Sequence, residues 1–131
     1  DCKYYYLSHG LDNYINFINH RYDIANYLSQ LDVFVYHSDN EAVSIPVIQA
    51  LISGVNVVVN DNEMIREITR NGKYAILYKS NDAADFAEKI LAINKNKNKI
   101  WEKREIDFSL FLLYNIYRLK MKGEIKWIRK K

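Results

Sequence analysis

The chain has 131 residues, 49% of them apolar and 27% charged, with 4 Gly and 1 Pro. That composition gives one ordinary globular domain and excludes a two-domain enzyme, a disordered chain, a collagen-like repeat and a low-complexity segment. The net charge of +3 hides an asymmetry. Residues 1–93 hold 7 Lys/Arg against 12 Asp/Glu, a balance of −5, while residues 94–131 hold 12 against 4, a balance of +8. The acidic body argues against a nucleic-acid partner.

In chain order, Asp1 to His9 reads as the end of a helix capped by Gly10, the alternative being a strand over Tyr4 to Leu7. Tyr14 to Ile18, Val33 to Tyr36, Val55 to Val59 and Ala75 to Tyr78 are short β-branched or aromatic runs and predict strands. Helical periods lie between and after them, over Asp23 to Gln30, Ile45 to Ser53, Glu63 to Arg70 and Asp82 to Ile93. Gly54 and Asn71-Gly72 mark two of the helix ends. Strands alternating with helices predict an α/β fold, a Rossmann-like parallel sheet with helices on both faces. Three regions follow: a truncated Rossmann-like domain over 1–93, an Asn/Lys-rich connector over 94–105, and an amphipathic helix with a basic tail over 106–131 that packs on the same domain.

No apolar run approaches the roughly 18 residues needed to cross a bilayer, and no apolar leader opens the chain, so a cytoplasmic protein is expected. The basic tail reads first as a solvated face. Trp127 among Lys126, Arg129, Lys130 and Lys131 adds an expectation of peripheral contact with the inner face of a membrane. Cys2 is the sole cysteine and no Cys/His cluster has zinc spacing, so neither a disulfide nor a metal is expected.

The segment Ser38 to Gly54 carries the chemistry. It follows a strand and opens a helix, the position at which open α/β sheets bind ligands, and a helix N-terminus there offers unpaired N–H groups and the positive end of the dipole. Ser44 is a suitable N-cap and Pro46 fits the first turn. Glu41 beside such an end would repel a phosphate, so it is expected to face hydroxyls, for which a sugar is suited. Gln49 lies about one turn into the helix and has an amide able to bond a diol. The alternative is that Glu41 and Gln49 are solvated surface residues.

From Tyr14 to about Ile93 the order of elements resembles the C-terminal domain of family-four retaining glycosyltransferases of the GT-B fold, also called glycosyl transferases group 1. The resemblance rests on Ile15 to Arg21 before Asp23-Ile24, on Leu31 to Ser38, on Glu41 to Gly54, on Val57-Val58-Val59, on Glu67-Ile68 with Asn71-Gly72, and on Asn81-Asp82. It implies that Glu41 contacts donor-sugar hydroxyls as the catalytic residue. The same resemblance puts Ser38 and Ala42 at the donor, the backbone N–H groups of Val43, Ser44 and Ile45 on the sugar or distal phosphate, and Asn19, His20 and Arg21 near the base. The family's second Glu, which grips the ribose, is Gln49 here. The family's glycine-rich first loop and basic diphosphate pair precede this stretch and are not in the chain, nor is the N-terminal acceptor domain.

The expected function is thus the donor-binding part of a retaining glycosyltransferase, of hexosyltransferase type, that moves a sugar from a nucleoside diphosphate sugar to a glycan or lipid-linked acceptor, as in bacterial polysaccharide biosynthesis. No cofactor or metal is expected, and the fragment alone is not expected to turn over. The alternative is a non-catalytic nucleotide-binding or assembly module of the same fold, which the Gln49 departure favours. His37, at the end of a strand, and Glu67 are further candidates for the cleft, each with an ordinary structural role as its alternative. Tyr114 and Tyr117 read as helix packing.

Overall fold

A computed structural model describes residues 2–20, 22–39 and 44–95. Its elements, in chain order, are α1 (Cys2–Ser8), α2 (Ile24–Leu28), β1 (Val33–Tyr36), α3 (Ile45–Ser53), β2 (Asn56–Asn60), α4 (Glu63–Thr69), β3 (Ile76–Tyr78) and α5 (Ala83–Lys95). The three strands form one parallel sheet in the order β1-β2-β3. Val35 lies opposite Val58, and Val59 opposite Leu77. The expected α/β, Rossmann-like class is the observed one.

β2 shows why an unbroken apolar run belongs in such a sheet. Val57, Val58 and Val59 are each fully buried, and their side chains alternate between two cores. Val57 and Val59 pack with Ile48 and Leu51 of α3 and Ile65 and Ile68 of α4, whereas Val58 packs with Phe86, Ile90 and Ile93 of α5. A strand covered on both faces needs no polar alternation. α3 is apolar on most of its circumference for the same reason: Val47, Ile48, Ala50 and Leu51 are all at most 2% exposed.

The helix ends follow from local chemistry. α3 stops at Gly54, which takes the left-handed conformation (φ 70°) and donates its N–H to the Leu51 carbonyl at 3.0 Å. α4 begins where the Asn62 side chain accepts the Ile65 N–H at 2.9 Å. It ends in a run of left-handed residues, Arg70, Asn71 and Gly72. Asp82 caps α5 by accepting the Asp85 N–H at 3.0 Å, and the helix runs through Asn94 and Lys95, so the stretch expected to be a connector from residue 94 begins as helix.

The strand expected over Tyr14 to Ile18 does not form. The chain turns there, with the N–H groups of Tyr14 and Ile15 bonded to the Leu11 carbonyl. Among the described residues no strand lies beside this run, and Tyr14, Ile15, Phe17 and Ile18 are 41–85% exposed. β-propensity measures fit to a neighbouring strand and a buried face, and neither is present. His20 therefore ends no strand. The alternative strand over Tyr4 to Leu7 is overturned as well, because those residues lie in α1; His9 accepts a role at its end, with Nδ1 2.9 Å from the Tyr5 carbonyl oxygen. The expected helix over 106–131 and its Trp127 lie outside the described residues. No helix among the described residues is long and apolar enough to cross a membrane.

Candidate functional site

Parallel strands all point their C-terminal ends to one edge of the sheet, so the loops leaving them gather there. Here β1 and β2 end beside the start of α3 and the first turns of α4, around a cavity of about 350 Å³. Ser38 and Asp39 line it from the end of β1, Ser44 from the start of α3, and Asn62 to Ile65 with Glu67 from α4. Residues 40–43, which join Asp39 to Ser44, include Glu41, Ala42 and Val43; these candidates and Arg21 lie outside the described residues.

Ser44 occupies the N-cap position, and its carbonyl accepts the first helical bond from Ile48 at 3.2 Å. Contrary to expectation, its hydroxyl caps nothing. Ser44 is 2% exposed, and its Oγ is buried with no hydrogen-bond partner among the described residues. A buried hydroxyl without a partner costs about 1–3 kcal/mol. Pro46 sits in the first turn as expected. The start of α3 thus brings a dipole end and, in Ser44, a hydroxyl without a described partner to the cavity wall.

The opposite wall is fixed by a residue that sequence reading did not single out. Asn60, fully buried at the end of β2, accepts the Ser38 N–H on Oδ1 at 3.0 Å. Its Nδ2 lies 3.1 Å from the Ser38 carbonyl, 3.3 Å from Asp39 Oδ1 and 3.1 Å from Ser80 Oγ. Asn62 adds a second bond to the Ser38 carbonyl at 3.0 Å. One side chain therefore replaces the sheet ladder just where β1 leaves it. The signal was available: an Asn closing a run of three Val, at the ligand edge of a buried strand.

His37 is anchored on both sides. Its Nδ1 is 2.7 Å from the Tyr78 hydroxyl and its Nε2 is 3.4 Å from Asp39 Oδ2. Burial, reinforced by the negative charge of Asp39, pushes the Tyr78 phenol above its ordinary pKa. This bridge ties β3 to the loop that forms the cavity wall.

At the end of β2, Arg66 grips Asp61 with two bonds of 2.6 Å. That hydrogen bonding, with the guanidinium charge, holds the Asp61 carboxyl below its ordinary 3.8 despite some desolvation. A depressed folded-state pKa contributes stability that is full above the ordinary value and lost as pH falls through the folded one. The side chains of Arg66 and Asp61 are 57% and 30% exposed, so the gain is small. We expect wild type to lead an Asp61→Asn variant modestly in urea midpoint at neutral pH, and the two to converge near about pH 2.

The other candidates fall elsewhere. Asn19 and His20 line a separate open depression with Tyr22 and Tyr27, where the His20 and Tyr22 rings meet edge-on at 5.2 Å. Gln49 borders a small apolar hollow between α2 and α3, with Leu28 and Ile52, and is not among the residues lining the main cavity. Ile45 opens α3 beside Ser44. Ser38, Ser44 and Glu67 are thus brought together, while Gln49, Asn19 and His20 lie in two other places. Among the described residues no group of three or more His, Cys, Asp or Glu side chains converges as a metal site.

A helix end and a polar crevice at the carboxyl edge of a parallel sheet are common to many nucleotide-binding folds, so family membership has to come from the sequence as a whole. Residues 2–106 match the family described as glycosyl transferases group 1. The chain belongs to that family. No curated protein matches the chain. As a group 1 glycosyltransferase domain it has a transferase-type function on a nucleotide-sugar donor, and the match takes in β1, β2, β3 and every described residue of the main cavity.

Proposed function

We propose that this chain is the donor-binding part of a retaining glycosyltransferase of hexosyltransferase type, transferring a sugar from a nucleoside diphosphate sugar to a glycan or lipid-linked acceptor. The observation that carries the reading is the start of α3, where the partnerless, buried Ser44 hydroxyl accompanies a helix N-terminus at the cavity wall. Charge grows on the leaving phosphate as the sugar–phosphate bond breaks. Fixed donors at a helix end meet that charge without having to reorganise. The Ser44 hydroxyl would add one more donor, and Glu41 would orient the ring through its hydroxyls. A separate domain carrying the acceptor completes the scheme.

Thermal shift with UDP-, GDP- and ADP-sugars tests it, since a ligand that binds only the native state raises stability by RT ln(1 + [L]/Kd). One nucleotide class is expected to stabilise the chain. Ser44→Ala should fold at least as stably as wild type, because it removes a polar atom with no partner. The same variant should weaken donor binding about tenfold, or about 1.4 kcal/mol. Glu41→Ala is expected to lower sugar transfer by about a hundredfold or more when assayed with the acceptor domain. Failure of every nucleotide sugar to shift the melting transition would overturn the reading.

A further inference from the structure

The cavity's charges say something about the sugar it admits. Its lining includes three carboxylates, Asp39, Glu63 and Glu67, and no Lys or Arg among the described residues. Asp39 is partly occupied by His37 and Asn60. Glu63 and Glu67 are four residues apart on α4, both exposed, and so stand one turn above the other on the same face. Arg66, the basic residue between them in sequence, has its guanidinium committed to Asp61 on two bonds. Two helix N-termini meet the cavity: Glu63 in the first turn of α4 offsets the positive dipole end of that helix, whereas the described first turn of α3 holds no acid, and Ser44 there has a hydroxyl without a partner among the described residues. A ligand that fits must therefore place its anionic group at α3 and an uncharged, hydroxyl-bearing group toward α4.

Resting on the donor-binding reading, we infer that the transferred sugar bears no carboxylate: the α4 wall selects neutral or amino sugars and rejects uronic acids. Carboxylates accept hydrogen bonds from sugar hydroxyls and attract an ammonium, whereas a third carboxylate brought beside Glu63 and Glu67 meets like charge with no cationic side chain among the described lining residues. Because both glutamates are solvated, the discrimination is expected to fall as salt rises.

Calorimetric titration of the full chain with matched pairs on one nucleotide isolates the sugar: UDP-glucose against UDP-glucuronic acid, GDP-mannose against GDP-mannuronic acid, and ADP-glucose against ADP-glucuronic acid. At low ionic strength the neutral member should bind about tenfold more tightly. In the double variant Glu63→Gln/Glu67→Gln the uronic member should gain affinity until the two are nearly equal. A gain of binding cannot come from a misfolded variant. Equal or tighter binding of the uronic member to wild type, or a gap unchanged in the double variant, overturns the inference and leaves the donor-binding reading standing. If no member of any pair binds, both fall together.

Discussion

Asn60→Ala should destabilise the fold by about 3 kcal/mol in urea unfolding, more than a neutral hydrogen bond is ordinarily worth. The side chain is fully buried and serves Ser38 N–H, the Ser38 carbonyl, Asp39 and Ser80 together. Truncation leaves the Ser38 N–H without its acceptor and removes a donor from each of the others. Donor binding should fall with it, because Ser38 and Asp39 form the cavity wall. Asn60→Asp keeps the volume and the acceptor but replaces the donating amide with a carboxylate facing Asp39, so it is not expected to rescue either property. A loss below about 1 kcal/mol for Asn60→Ala would show that the loop after β1 holds itself.

Leu51→Ala is expected to cost about 3 kcal/mol, since the side chain is fully buried and its removal leaves a cavity in addition to the lost transfer energy. Ile52, on the same helix but only partly buried, should lose about 1 kcal/mol on the same change. The pair separates seating of α3 from its mere presence. If α3 must sit firmly on the sheet to present Ser44, Leu51→Ala weakens nucleotide-sugar binding by more than Ile52→Ala at temperatures where both variants are folded.

The parts of the fold that were legible in the sequence are those whose signals are local and mutually consistent. Val57 to Val59 between Gly54 and Asn60 can be read as a doubly covered strand, and the Pro46 and Gly54 positions bracket α3 without tertiary information. Tyr14 to Ile18 was misread because β-branched and aromatic content reports what a residue does beside a partner strand, and that partner is a long-range fact. The same limit governs the site. Ser44 was legible as a helix start, but its hydroxyl's lack of a partner depends on what surrounds it in space. Asn60 escaped notice because its value lies in reaching back to Ser38, 22 residues earlier. Gln49, placed by spacing at the second acidic position of the family, turns to the hollow between α2 and α3.

The sequential strand order carries a kinetic consequence. Because β1, β2 and β3 are neighbours both along the chain and in the sheet, each ladder closes a loop of about twenty residues, and loop-closure entropy rises only logarithmically with length. The described residues that line the main cavity all fall between Ser38 and Glu67, within the stretch spanned by the first crossover and the start of the second. The cavity walls therefore take shape as soon as β2 docks on β1 and α4 folds back over them. No distant segment of the described chain has to arrive first, and crossovers of about twenty residues keep the loop-closure cost moderate in a parallel topology that otherwise pairs slowly.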